Sequence, residues 1–258
     1  KNNFYIRTGL NLNIKIPENS YFILIDNCEY YYLPEESIEF INKNVDELWV
    51  PFQFIKDFYL KSGVLEEKVY LINTFANFDI HNLYNTIHFD LDLKQIDYKT
   101  SKNFKFLFYG ELSDEKGLDS VIKAFIEEFN KNEDVSLIIV SKNPFLCVEN
   151  QNQILSIKER DRIDYFKYLE TLFKNKKEYY QKIISSNYNI PEIIIYDKTT
   201  EGFDLESIYK NVDCFVYPYR LEGSGLEIME AMLAKIPVIT TNGGISKDFC
   251  NGENSYLV

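Results

Sequence analysis

The chain has 258 residues, enough for one large domain or two small ones, and cores of that size bury most of their apolar surface. Its composition, 45% hydrophobic and 26% charged with 20 Tyr and 20 Phe, excludes a disordered chain, and four cysteines are too few for a disulfide scaffold. A formal charge of -12 repels phosphate backbones and anionic lipid, so no nucleic-acid partner is expected. Cys28, Cys147, Cys214 and Cys250 lack the short paired spacings of a zinc site and read as reduced thiols. No apolar run approaches the roughly 18 residues of a membrane span. No signal peptide is read in the opening residues and the sequence has no Asn-x-Ser/Thr acceptor, so the expected compartment is cytoplasmic. The opening Lys1 and the apolar close at Leu257 and Val258 read as the ends of a fragment.

In chain order, strand-like runs at Tyr21 to Ile25, Glu47 to Val50 and Lys68 to Ile72 alternate with helical patterns at Pro34 to Asn42 and Phe52 to Ser62. Three strands and two helices fall short of a doubly wound half of about 150 residues. The beginning of this first lobe is therefore expected outside the chain. The polar stretch from Leu93 to Asn103 has no apolar periodicity, and residues 96–102 within it are the expected linker between a lobe of residues 1–95 and one of residues 103–258.

The second lobe alternates strands (Phe104 to Tyr109, Val135 to Val140, Ile193 to Tyr196, Cys214 to Tyr217, Val238 to Thr240) with helices, the pattern of a parallel α/β sheet. A helix over Leu118 to Asn130 aligns Val121, Ile122, Phe125, Ile126 and Phe129 on one stripe. The charge-dense region 151–189 reads as a helical insertion.

Chemistry concentrates where the strand Cys214 to Tyr217 stops at Pro218 and Glu222-Gly223-Ser224-Gly225 leads into a helix from Leu226 to Ala234. A glycine-rich turn and a helix N-terminus at the carboxyl end of a strand can hold a phosphate, or can simply start a helix. In that helix Leu226, Met229 and Leu233 read as the core-facing stripe, and Glu230 borders it. A carboxylate there is costly without partners, and ligand hydroxyls would supply them.

Glu222 and Glu230 form Glu-x7-Glu, followed by Ala231-Met232, Pro237-Val238-Ile239 and Gly243-Gly244; upstream lie Gly110, Lys116-Gly117, Ala124-Phe125 and Val45-Asp46-Glu47-Leu48-Trp49-Val50-Pro51. This combination resembles the retaining glycosyltransferase family 4. The resemblance implies a GT-B-like fold of two Rossmann-like lobes, the first incomplete in this chain, and a nucleotide-diphosphate sugar as donor. It implies that Glu222 orients the donor sugar's hydroxyls and is the catalytic-site residue, though not a base. Glu230 would bind the nucleotide ribose, and the backbone of Gly223, Ser224, Gly225 and Leu226 would receive donor oxygens. Lys116, after Gly110, would neutralise the diphosphate, whose charge grows as the bond breaks; alone, Lys116 could equally be a solvated surface lysine. Asp197, Lys198 and Thr199 fall where the family holds the base. The acceptor is a glycan, lipid or protein, and peripheral association with a membrane or with other biosynthetic proteins is compatible.

Glu111 stands where the family usually carries Arg, and Thr74-Phe75-Ala76-Asn77 replaces an Asn-Gly-Val-Asp turn. A carboxylate beside a diphosphate costs affinity unless Arg220 or Lys142 swings in or Glu111 points away. His81 and His88 read as non-catalytic. Asp90-Leu91-Asp92 has the form of a metal-binding Asp-x-Asp, but with no further ligands nearby it reads as a solvated face. No metal and no cofactor are expected to be required. The alternative to a transferase is a non-catalytic nucleotide-sugar-binding or scaffold module.

Overall fold

The computed structural model describes residues 3–72, 100–111, 114–141, 191–197 and 205–258. The 151–189 insertion, most of the linker, Thr74 to Asn77, His81, His88, Asp90, Asp92, Lys142, Cys147, Lys198 and Thr199 lie outside the described residues. The rest gathers into two compact units. One holds the described residues up to 72 with Leu221–Gly225 and Asn242–Cys250; the other holds those from 100 to Arg220 with Leu226–Thr241 and Asn251–Val258.

In the first unit, β1 (Asn3–Thr8), β2 (Ser20–Ile25), β3 (Glu47–Val50) and β4 (Val69–Leu71) form a parallel sheet in that order. Strand β2 is apolar after Ser20 and buries Phe22, Ile23 and Leu24, as a central parallel strand must. Helix α1 (Glu35–Asn44) begins after Pro34, whose ring cannot donate in the first turn in any case. Helix α2 (Gln53–Ser62) ends at Gly63, with φ 104 in the left-handed region that closes helices. Its first N–H groups, on Gln53 and Phe54, donate to Asp248 Oδ2 at 2.5 and 3.4 Å. Phe52 packs on Phe249 with ring centroids 6.1 Å apart. Strand β1 has no counterpart in the sequence reading. It is an edge strand with Phe4 and Ile6 exposed, so its burial is too weak to print a period.

In the second unit, β5 (Phe104–Tyr109), β6 (Val135–Ser141), β7 (Glu192–Asp197), β8 (Cys214–Tyr217), β9 (Val238–Thr240) and β10 (Tyr256–Leu257) make a parallel sheet ordered β10-β9-β8-β5-β6-β7. The chain winds from β5 outward through β6 and β7, then returns to β8 on the other side of β5. That reversal puts a topological switch point between the carboxyl ends of β5 and β8, where doubly wound sheets open a crevice. Helix α3 (Leu118–Glu128) buries Leu118, Val121, Ile122 and Phe125 at helical spacing. It stops two residues short of the expected Asn130. Phe129 turns extended, and Asn130 donates its main-chain N–H and its amide to Glu133 Oε2 at 2.8 and 2.6 Å, a local alternative to the helix. Cys28, Cys214 and Cys250 are buried and form no disulfide among the described residues. No helix among the described residues is long and apolar enough to cross a membrane.

Candidate functional site

The loops leaving β5 and β8 in the second unit are tied together by ordinary chemistry. Strand β5 leads into Gly110, whose N–H donates to Val140 O at 3.2 Å, and the exposed Glu111 follows. A single 3-10 turn over Asp114–Lys116 then delivers Gly117, with φ 75, to the start of α3. Only glycine suits this point, since a Cβ would lie 2.1 Å from Pro218 O. The β8 loop answers from the other side. Arg220 N–H donates to Glu115 O at 2.6 Å, and its guanidinium makes a two-pronged pair with the buried Asp119, Nη1 to Oδ1 at 2.8 Å and Nη2 to Oδ2 at 3.0 Å. Nη2 also reaches Ser120 Oγ at 2.8 Å. Arg220 therefore welds the two loops, and releasing it toward a diphosphate would leave Asp119 buried without this partner. Lys116 is half-buried within the welded segment.

Helix α4 (Leu205–Lys210) and helix α5 (Leu226–Leu233) bring Tyr209 to Glu230. The expected core stripe of α5 is corrected here. Leu226 and Leu233 are exposed and Met229 is half-buried, while Ile228 and Ala231 are fully buried, because β8 and β9 meet the other side of this helix. Glu230 is nevertheless half-buried, as expected, for a different reason: the Tyr209 hydroxyl donates to its Oε2 at 3.2 Å. Burial pushes the Glu230 carboxyl above its usual value, and the Tyr209 hydrogen bond opposes that rise. Tyr209 is itself pushed up, first by burial and then by the neighbouring Glu230. Tyr109 at the end of β5 is raised by burial and by the charges of Glu227 and Glu230. Asp197 closes β7 on the same edge.

The Glu222 turn belongs to the first unit. Glu222 is buried, and its Oε1 accepts from Ser224 N at 3.0 Å, Ser224 Oγ at 3.2 Å and Gly225 N at 3.1 Å. Two of the main-chain donors that a phosphate would seek are thus already engaged by a carboxylate of the same turn. The need for glycine also has an internal cause. Gly225 has φ 62, and a Cβ there would strike Ile245 Cδ1 at 2.5 Å; one on Gly223 would lie 2.8 Å from Asn27 O. Protein atoms, before any ligand, demand the small residue.

Sequence reasoning passed over Asp26. It follows β2 directly with only 4% of its surface exposed and accepts from Leu10 N at 3.2 Å, Cys28 N at 3.0 Å and the Tyr59 hydroxyl at 2.5 Å. Burial raises its carboxyl above the ordinary value, against the pull of those three hydrogen bonds. The available signal was an acidic residue directly after an apolar parallel strand. Among the described residues, no group of three or more His, Cys, Asp or Glu side chains could hold a metal ion.

A family model described as glycosyl transferases group 1 matches residues 92–258. The capsular polysaccharide biosynthesis glycosyltransferase CapM of Staphylococcus aureus is 26% identical over 175 residues, which is 66% of this chain and 37% of that protein. Anabaena HepE, solved with UDP-glucose, superposes with a TM-score of 0.56 at 17% identity over 93% of this chain and 58% of that one. A glycosyltransferase from Rickettsia africae gives 0.58 at 16% identity, over 93% and 56%. The chain spans little over half the length of these two structures, and they share its fold class of parallel α/β, Rossmann-like units in the GT-B manner.

Proposed function

This chain belongs to the glycosyl transferases group 1 family, and from that premise we propose that it moves a sugar from a nucleoside-diphosphate sugar to an acceptor hydroxyl, with retention of anomeric configuration and without a metal. Residues 103–258 supply the donor lobe and residues 1–95 the terminal part of the acceptor lobe. The observation that carries the reading is Glu230, a half-buried carboxylate on α5 with Tyr209 as its side-chain donor. Such a group is costly in the empty protein and repays its burial when ribose hydroxyls donate to it.

The remaining roles follow from charge and position. Lys116 meets the diphosphate at the switch point, with Gly110 beside it and the exposed Glu111 turned to solvent. Asp197, Lys198 and Thr199 border the base. Glu222, fixed by its own turn, orients the donor sugar, with Gly223, Ser224, Gly225 and Leu226 shaping the space around it. In the transfer, the bond from the anomeric carbon to the diphosphate oxygen breaks and a bond to the acceptor oxygen forms. The acceptor's proton passes to the departing diphosphate. The protein contributes positioning and electrostatic stabilisation of that leaving charge. The name of the S. aureus relative supports a glycan-building pathway, and a cytoplasmic site of action accords with nucleotide sugars as donors.

A thermal-shift panel of nucleotide sugars tests the donor site, since a ligand at 100 times its dissociation constant stabilises by roughly 2.7 kcal/mol. The responding donor is then incubated with and without chelator. Slow release of nucleoside diphosphate in both tubes is expected, and the released or transferred sugar should keep its anomeric configuration by NMR. Binding without turnover would make the chain a non-catalytic sugar-nucleotide module; loss of activity in chelator would restore the metal reading at Asp90 and Asp92.

A further inference from the structure

Beyond the Asp26 hydrogen bonds, the chain leaves β2 as a short loop before α1. Three consecutive tyrosines stand in water there: Tyr30 is 37% exposed, Tyr31 67% and Tyr32 75%. Asn27 and Glu29 are exposed as well. Three adjacent aromatic rings left in water forgo the burial that ordinarily accounts for them. The loop is also anchored at its root. Asp26 holds Cys28 N and Leu10 N, so the segment that presents these side chains starts from a rigid point.

The same loop touches the Glu222 turn. A Cβ on Gly223 would lie 2.8 Å from Asn27 O, 2.8 Å from Glu29 Cγ and 3.3 Å from Glu29 Oε1. The Glu29 carboxylate therefore borders the turn whose buried glutamate is assigned above to the donor sugar. The exposed tyrosines and the Glu29 carboxylate belong to one loop at the carboxyl end of a parallel strand, against the glycine-limited Glu222 turn, where such sheets bind their ligands.

We propose that Glu29 with Tyr30, Tyr31 and Tyr32 forms a subsite for a neutral carbohydrate acceptor, a reading that rests on the chain being a glycosyltransferase. A pyranose ring offers a flat face of C–H groups and a rim of hydroxyls. The tyrosine rings match the face, and the Glu29 carboxylate accepts from a hydroxyl on the rim. Charge selects against the other acceptors that carry phosphate or uronate. The chain is formally -12, and Glu35 and Glu36 follow the tyrosines in the first turn of α1.

The test uses the 258-residue chain on an array of neutral and uronate-bearing oligosaccharides, a panel of Ser/Thr peptides and vesicles of phosphatidylcholine with phosphatidylglycerol. Binding of uridine and guanosine diphosphates is measured in parallel by calorimetry. Neutral oligosaccharides should bind. The double substitution Tyr31→Ala with Tyr32→Ala should lower that affinity at least about tenfold while nucleoside diphosphate affinity stays the same. The corresponding Phe pair should restore it, because the stacking face returns without the hydroxyl. Glu29→Gln should weaken oligosaccharide binding several-fold. The proposal is overturned if no neutral oligosaccharide binds at millimolar concentration, if only uronates, peptides or vesicles bind, or if the Ala pair changes nothing. If oligosaccharides bind in this pattern while neither nucleoside diphosphate does, the carbohydrate site stands and the transferase reading is the one that fails.

Discussion

Each unit contains a carboxylate hydrogen-bonded to a buried tyrosine, Asp26 with Tyr59 in one and Glu230 with Tyr209 in the other. Both carboxyls are held above their usual values by burial. Their surroundings differ in what they leave unmet. Asp26 takes two main-chain N–H groups besides the phenol and is nearly sealed, so its work is to hold the root of the β2 loop. Glu230 is half-exposed, and its oxygens keep capacity for ligand hydroxyls beyond what Tyr209 supplies. Residue type and partner type do not separate a structural from a ligand-binding carboxylate; the count of fixed donors does.

The largest effect should come from removing the structural member. Asp26→Ala strands the Leu10 and Cys28 N–H groups and the Tyr59 hydroxyl, and should cost about 3 kcal/mol in urea unfolding. A loss below about 1 kcal/mol would mean that water satisfies these donors and that Asp26 is no anchor.

Glu230→Gln should do the opposite, leaving unfolding nearly unchanged while nucleoside diphosphate binding weakens by about 1.5 to 3 kcal/mol. Unchanged binding by a folded variant would place Glu230 outside the nucleotide site. The pH dependence sharpens the contrast. Both carboxyls are raised in the folded protein, so each adds stability that is complete below its ordinary value, 3.8 for Asp26 and 4.5 for Glu230, and that is lost as pH rises through the raised value. Ribose binding needs Glu230 ionised and should fall as pH drops through that same raised value. Titrating affinity and stability of the parent against Glu230→Gln isolates the effect, and parallel curves for the two proteins would contradict it.

Next in size, Lys116→Ala should weaken a nucleoside diphosphate roughly tenfold, about 1.4 kcal/mol, and leave the unphosphorylated nucleoside untouched. Equal losses would assign Lys116 to the fold or the base. The smallest effect is expected from Glu111→Arg. Because Glu111 is exposed, a guanidinium there should tighten the diphosphate by only roughly threefold, about 0.7 kcal/mol, and make binding more salt-sensitive. Indistinguishable calorimetry at low and high salt would put the loop after β5 away from the phosphates.

Hydrophobic periodicity was enough to find β2 to β9 and the helices α1, α2, α3 and α5 to within a few residues, because each buries apolar side chains at its own local period. That Glu222 lies in the turn after β8 and Glu230 on the helix that follows was legible for the same reason. Beyond the reach of the sequence were β1, exposed at an edge, β10 with two residues, and the buried face of α5, where Ile228 and Ala231 rather than Leu226 and Leu233 face inward. Apolar spacing names two candidate faces on a short hydrophobic helix, and only the neighbouring strands choose between them. Tertiary structure alone also decided that Arg220 belongs to Asp119 and that Glu29 meets Gly223. Those pairings join residues by distance across the fold, with partners chosen by desolvation and hydrogen-bond geometry, and neither leaves a period in the chain.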